Sequence, residues 1–423
     1  MAPTPRPFDI VVFGATGFTG KLAAEYLLGH APQSAKLALA GRNKTKLEQV
    51  RADIAASLPE GQARARAENV PILVADSSDQ ESLDAVVQAA KVILTTVGPF
   101  MLYGKPLVDS CVRFGTHYID STGETPFIKE LIDAYHKEAA AKNVKIVPSC
   151  GCDSLPSDLG AYLVADHFAK QGKKTASIRA VVTKISGGLS GGTIHTIANM
   201  FESSSFAKLA KANDPYLITP KSEAALPPAE SVVLKYNKDL SRYEALWFMA
   251  GGNSNYVRRS WGLLGRAYGP DFQYTESLGT LSSFPAALAT VVGMVATLLA
   301  ILFPPTRALI KRLFPQGQGP SQETMDKGHI EMKFVGTAVD GSKAVGRFAS
   351  PHMDIGYKGT GLLLAESAMC LAFDDEKLRE GSAGEVGIFG VKKGGVLTAA
   401  TSMGLVLAER LKKAGMEIEM LNN

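Results

Sequence analysis

Three glycines spaced three apart, Gly14, Gly17 and Gly20, lie between an apolar, β-branched run and a helical pattern. The run is Ile10 to Phe13, and Lys21 to Leu28 puts Leu22, Tyr26 and Leu27 on one helical face. Glycines at this spacing allow a tight turn, close backbone approach to a pyrophosphate, and close helix–strand packing. The start of the helix adds free N–H groups and a partial positive charge. Thr16 and Thr19 bring hydroxyl donors, with Phe18 between Gly17 and Thr19. The strand before and the helix after supply the context that a dinucleotide turn requires. A purely structural glycine turn is the alternative.

The end of the second strand speaks to which dinucleotide. An NAD site places Asp or Glu there, on the ribose hydroxyls. This chain has Ala40-Gly41-Arg42-Asn43-Lys44, with no carboxylate. Arg42 can stack on adenine or pair with a 2′-phosphate, so NADP is favoured and NAD remains possible. Ligands of open sheets sit beyond the carboxyl ends of the strands. That rule puts Asp76 and Ser77, after the third strand, at the adenine edge. It puts Val97, Gly98 and Pro99, after the fourth, beside the nicotinamide.

Hydride transfer often needs one proton donor. Tyr103, Tyr118 and Asp153 are the candidates, with His117, Asp120, Cys150 and Ser154 close by in sequence. Each could equally be a hydrogen-bonded core or loop residue. No Ser-His-Asp order stands out, and Tyr103 and Lys105 lie two apart, short of one helical turn.

These residues need a frame. Strands at Ile10–Phe13, Lys36–Ala40, Ile72–Ala75, Val92–Val97, Tyr118–Asp120 and Lys145–Pro148 alternate with helical stretches, among them Pro106–Phe114. The alternation predicts an α/β, doubly wound parallel sheet over residues 1–155. An α+β domain is expected over 156–350, mostly antiparallel, with a strand at Ser177–Ile185 and a hairpin around Asp340-Gly341. Ser186–Gly192 (SGGLSGG) reads either as a substrate loop or as a turn, Thr193–Ala210 as a helix, and 211–260 as irregular. A C-terminal segment, 351–423, is expected to return to the first domain through helices at Thr360–Phe373 and Leu397–Lys412.

VVFGATGFTG, LAGRN, TTVGPF-x-x-YG, THYIDSTGE, PSCGCDSLPSDLG and GGVLTAAT occur in order between Val11 and Thr401. As a set they resemble the saccharopine dehydrogenase-like oxidoreductases, which include bacterial trans-acting enoyl reductases. The resemblance implies a Rossmann domain, an inserted α+β domain and a returning C-terminal helix. It also implies an NAD(P)-dependent enzyme, with an enoyl double bond as the expected target. A dicarboxylate substrate should call for several arginines in the second domain. Arg179, Arg242, Arg258 and Arg259 are there, but at no spacing that assigns them to carboxylates. A saccharopine-type imine reductase is therefore a lesser alternative, and a non-catalytic lipid-droplet protein on the same fold is another.

Phe284 to Phe303 carries no charge for 20 residues and ends at Pro304-Pro305. That length suffices for a bilayer core. TRALIKRLF follows, with Arg307, Lys311 and Arg312 beside Leu309, Ile310, Leu313 and Phe314, a basic amphipathic stretch suited to anionic lipid. Because the later chain rejoins the same fold, a helix pair inserted from one side is expected rather than a single span. The alternative is a helix buried in the second domain or at a homodimer interface. The expected setting is the cytosolic face of a membrane, with a lipid droplet or the endoplasmic reticulum surface as candidates, and a small hydrophobic substrate.

Over 423 residues, 46% hydrophobic with a net charge of +4, no dense basic cluster argues for nucleic acid. The four cysteines read as reduced thiols, and the C-x-C pair Cys150/Cys152 lacks further metal ligands at suitable spacing. The N-terminal stretch has no apolar run of the kind a secretory signal needs.

Overall fold

A computed structural model describes residues 6–187, 214–223, 225–281, 283–313 and 319–422. The expected loop at 188–192 and helix at 193–210 lie outside the described residues. The chain divides into two units, residues 1–155 with 357–410 and residues 156–356 with 411–423.

The first unit is built on a seven-stranded sheet. Its strands are β1 (Phe8–Phe13), β2 (Leu37–Gly41), β3 (Ile72–Val74), β4 (Ala90–Thr95), β5 (His117–Asp120), β6 (Lys145–Val147) and β13 (Gly395–Val396). The order is β13-β6-β5-β4-β1-β2-β3, every pair parallel. Chain direction therefore reverses its progress across the sheet between β1 and β4, the switch point where a doubly wound fold opens a crevice. Ile10, Val11, Val92, Ile93 and Leu94 are completely buried, as strands covered on both faces must be.

The helices α1 (Phe18–His30), α2 (Lys44–Ser57), α4 (Gln80–Gln88), α5 (Phe100–Phe114) and α6 (Thr125–Ala141) follow strands β1 to β5, and a short α3 (Gln62–Asn69) lies between α2 and β3. Asn43 and Asp79 cap α2 and α4, accepting from the amides of Lys46 and Glu81. Helix α5 starts six residues before the start expected at Pro106. The Glu124 carboxylate accepts from the amides of Phe100 and Met101, both at 2.9 Å, and so caps a turn that local sequence does not announce.

The second unit carries a mixed sheet, β14-β12-β11-β7-β10-β9-β8. It comprises β7 (Thr175–Ser186), β8 (Leu234–Asn237), β9 (Arg242–Ala245), β10 (Gln273–Leu281), β11 (His329–Ala338), β12 (Lys343–Ser350) and β14 (Glu417–Leu421). Only β7/β10 is parallel. Helix α7 (Leu155–Lys170) packs on one face, where Gly160 makes room for the Phe334 ring. Residues 214–260 are more regular than their composition suggests. They form the β8/β9 hairpin and a helix, Ala250–Leu263, whose Asn, Ser and Arg side chains are buried around Trp261. Tertiary burial overrides weak helix propensity there.

The returning segment divides. Helix Thr360–Phe373 packs on α1 in the first unit, where Gly361 faces the α1 backbone at Leu22 and Ala23. Tyr26 donates to Glu366, and Arg410 bonds Glu366 and Asp374, each at 2.8 Å. Residues 411–423, expected to go with the first unit, instead add β14 to the second sheet beside β12.

Candidate cofactor and active site

The turn after β1 is shaped by backbone proximity. Gly14 has φ +90°, and a Cβ there would lie 2.6 Å from Val97. At Gly20 a Cβ would come within 2.2 Å of the Gly14 carbonyl oxygen and 2.6 Å of Thr96 Oγ1. Gly17 differs. It is exposed, its nearest such contact is the Gly14 oxygen at 3.3 Å, and it caps α1 with no side-chain bond. The first and third glycines thus hold the turn together. The second leaves the α1 amides open to an incoming anion. Thr16 is exposed, Thr19 is half-exposed, and the Phe18 ring meets Tyr357 edge-on at 5.5 Å.

At the β2 end, Arg42 is exposed, and the next residue is occupied as the α2 cap. After β3, Asp76 accepts from the Ser78 amide (2.9 Å) and hydroxyl (2.7 Å). Those donors hold its carboxyl below the usual range, and the Arg42 charge adds to the effect. Arg42 and Asp76 therefore share one neighbourhood beyond the ends of β2 and β3, with Ser77 half-exposed next to Asp76. After β4, Val97 borders Gly14, and Gly98 and Pro99 lead into α5 through a cis peptide bond.

The three candidate acids part company. Tyr118 is fully buried in β5 and donates its hydroxyl proton to Asp120 at 2.7 Å. Its hydroxyl is therefore buried and committed to Asp120, with no surface exposed. Asp120 is a junction instead, also accepting from the amides of Thr122 (2.9 Å) and Ser149 (2.8 Å). Burial pushes its pKa up to about 7 against the pull of these donors. His117 is committed too, its Nδ1 accepting from the Lys145 amide at 3.1 Å. Tyr103, in the first turn of α5, is 44% exposed. Asp153 follows β6 with its carboxyl beside Gly123 and the Cys152 thiol. Burial raises its pKa to about 6, although the residue keeps some exposed surface. Cys152 is tied back by its amide, which donates to Thr360 at 3.1 Å.

Comparison with known proteins agrees with this geometry. Residues 10–147 match the family model of the saccharopine dehydrogenase NADP binding domain. A Mycobacterium tuberculosis protein provisionally named a trans-acting enoyl reductase is 37% identical, with 99% of each chain covered. The chain belongs to the saccharopine dehydrogenase-like oxidoreductases. A Mycobacterium leprae trans-acting enoyl reductase is 36% identical, again over 99% of each chain. Saccharomyces cerevisiae saccharopine dehydrogenase (L-Glu forming) has 14% identity and a TM-score of 0.49, covering 98% of this chain and 99% of its own.

As a member of this family the protein is an NADP-binding oxidoreductase. The residues present fit that cofactor. The α1 amides are open behind a glycine, and the β2 end offers a cation where NAD enzymes offer a carboxylate.

The arginines of the second unit do not form a carboxylate site. Arg242 bonds the Gly279 carbonyl (2.7 Å), Arg259 that of Ile218 (2.6 Å), and Arg258 those of Pro215 (3.1 Å) and Tyr274 (3.2 Å). Arg179 lies 4.0 Å from buried Glu244. Sequence spacing could not reveal these commitments, since each partner is distant in the chain or a backbone atom.

Proposed function

We propose that this protein is an NADPH-dependent enoyl reductase for a hydrophobic acyl substrate, working at a lipid surface. The observation that carries the reading is the pairing of an open phosphate turn at Gly14–Gly20 with an exposed apolar helix, Phe284–Leu302. The two mycobacterial relatives are named for the same reaction.

NADPH supplies a hydride when bound. The chain's own part is to hold the dinucleotide and deliver one proton. Gly14, Gly17 and Gly20 with Thr16, Phe18 and Thr19 receive the pyrophosphate. Arg42 takes the 2′-phosphate, with Asp76 and Ser77 at the adenine. Val97, Gly98 and Pro99 border the nicotinamide. Asp153 is the better placed proton donor, since a carboxyl of pKa about 6 keeps a useful protonated fraction near neutrality. Tyr103 is the second candidate.

The helix Phe284–Leu302 supports the lipid reading. It has a mean hydropathy of 2.2, and Ala287 alone of its residues is buried. Its Thr290 and Thr297 hydroxyls bond carbonyls one turn back, both at 2.9 Å, so its polar groups are satisfied internally. The helix Pro304–Leu313 follows at the predicted break and exposes Leu309, Leu313 and Arg312. The buried-helix alternative fits poorly within a single chain, though a second copy could still cover this face.

The test is NADPH oxidation with long-chain 2-enoyl thioesters, with mass spectrometry of the product for a gain of two hydrogens. Turnover that falls as pH rises through about 6, and that Asp153→Asn abolishes with NADPH affinity intact, is the expected result. No oxidation with any enoyl thioester overturns the reading.

A further inference from the structure

Helix α5 begins where the crevice meets the nicotinamide side, directly after Val97, Gly98 and Pro99. In a doubly wound fold such a helix start would ordinarily welcome an anion. Here that role is closed. The Glu124 carboxylate, buried to 5% exposure, already accepts from the Phe100 and Met101 amides. The amides of Leu102 and Tyr103 lie against the Pro99 carbonyl, at 3.1 and 3.2 Å. A substrate carboxylate or phosphate approaching this turn would find these amides already taken.

What the turn presents instead is apolar. Met101, Leu102 and Tyr103 are 43%, 68% and 44% exposed. Consecutive residues step about 100° around a helix, so these three side chains ring the first turn. Their placement is rigid from below. Gly104 has no side chain because a Cβ would sit 2.5 Å from the Phe127 ring, and Phe100 packs on that ring at 6.0 Å between centroids. An exposed apolar turn on a fixed base, directly following Val97–Pro99 in the chain and with its amides already taken, has the chemistry of a subsite for hydrocarbon.

We propose that Met101 and Leu102, with the Tyr103 ring, form the subsite that receives the acyl chain of the substrate beside the site of hydride transfer. The proposal rests on the enoyl reductase reading for the identity of the chain, and names the residues that select its length.

The test uses the full-length protein and the variants Leu102→Ser and Leu102→Glu. NADPH Kd should stay within about twofold, which also reports that the fold is intact. KM for a long-chain 2-enoyl thioester should rise about tenfold or more, the equivalent of two buried methylenes. KM for a short-chain enoyl thioester should hardly move. Equal effects on both lengths, or none on either, overturn the subsite. Should the wild type reduce no enoyl thioester, the reading of its function fails but the subsite is still tested. Calorimetric binding of a saturated long-chain acyl thioester in the presence of NADP+ should then be weakened by Leu102→Glu. Unchanged binding, or no binding by the wild type, overturns it.

Discussion

The three glycines of the phosphate turn look alike in sequence and do different work. Gly20→Ala would drive a methyl group into the Gly14 carbonyl, so both stability and NADPH affinity should fall. Overpacking of this kind typically costs about 1–3 kcal/mol, visible as a drop in Tm. Gly17 has φ −79° and a Cβ there would lie 3.3 Å from the Gly14 oxygen, against 2.2 Å at Gly20, so Gly17→Ala should cost much less Tm than Gly20→Ala while NADPH affinity drops. Thermal denaturation beside fluorescence titration checks the split, and equal Tm losses in the two variants would contradict it. Arg42 makes the complementary case. Loss of a charged hydrogen-bonding partner is worth about 1.5–3 kcal/mol, so Arg42→Ala should reduce the preference for NADPH over NADH by about ten- to a hundredfold. Kd values for both nucleotides measure this directly, and an unchanged ratio would remove Arg42 from the 2′-phosphate.

At the scale of elements, what was legible depended on whether the signal was local. The alternation through residue 150, the hairpin at Asp340-Gly341 and the helix Thr360–Phe373 were readable, because periodicity and turn chemistry are carried by neighbouring residues. The early start of α5 was not, since its cap comes from Glu124, over twenty residues away. Nor were β14 or the helix Ala250–Leu263, which tertiary packing selects. Tyr118 shows the same limit at the site. Its position at a strand end suggested the crevice, yet its hydroxyl is given to Asp120. Asp120 joins the turns after β5 and β6, and its folded pKa of about 7 lies above that of an unfolded aspartate. A carboxyl raised on folding contributes stability that is fully present below the unfolded pKa and is lost as pH rises through the folded one. Between about pH 4 and 7 the wild type should therefore lose stability as pH increases. Asp120→Asn can keep two backbone bonds through Oδ1 and donate to Tyr118, so it should fold and show a flatter profile. Tm against pH for both proteins decides the matter, and parallel curves would mean that Asp120 does not titrate in this window.

For the whole molecule, the proposed function ties a dinucleotide-binding unit and an exposed apolar helix to one reaction. On the proposed reading the acyl chain is poorly soluble, and a surface rather than bulk water would supply it. The helix Phe284–Leu302 leaves the second sheet where Phe284 packs edge-on against Tyr243 at 5.7 Å, then exposes Leu288, Val292, Val295 and Leu299 along its length. Pro304 restarts the chain as a second helix that brings Arg307 and Arg312 after the apolar run. Cations at the end of an apolar segment favour anionic headgroups, each worth about 1 kcal/mol near a charged surface. Replacing residues 284–313 by a short Gly/Ser linker should abolish flotation with vesicles containing phosphatidylserine, while NADPH binding by the first unit persists. Reversing charge with Arg307→Glu and Arg312→Glu should weaken flotation on anionic vesicles and matter little on neutral ones. A deletion variant that still floats would place lipid binding elsewhere. A wild type that never floats but forms a dimer, and a deletion variant that is monomeric, would show that the apolar helix serves a second copy of the chain instead of a lipid surface.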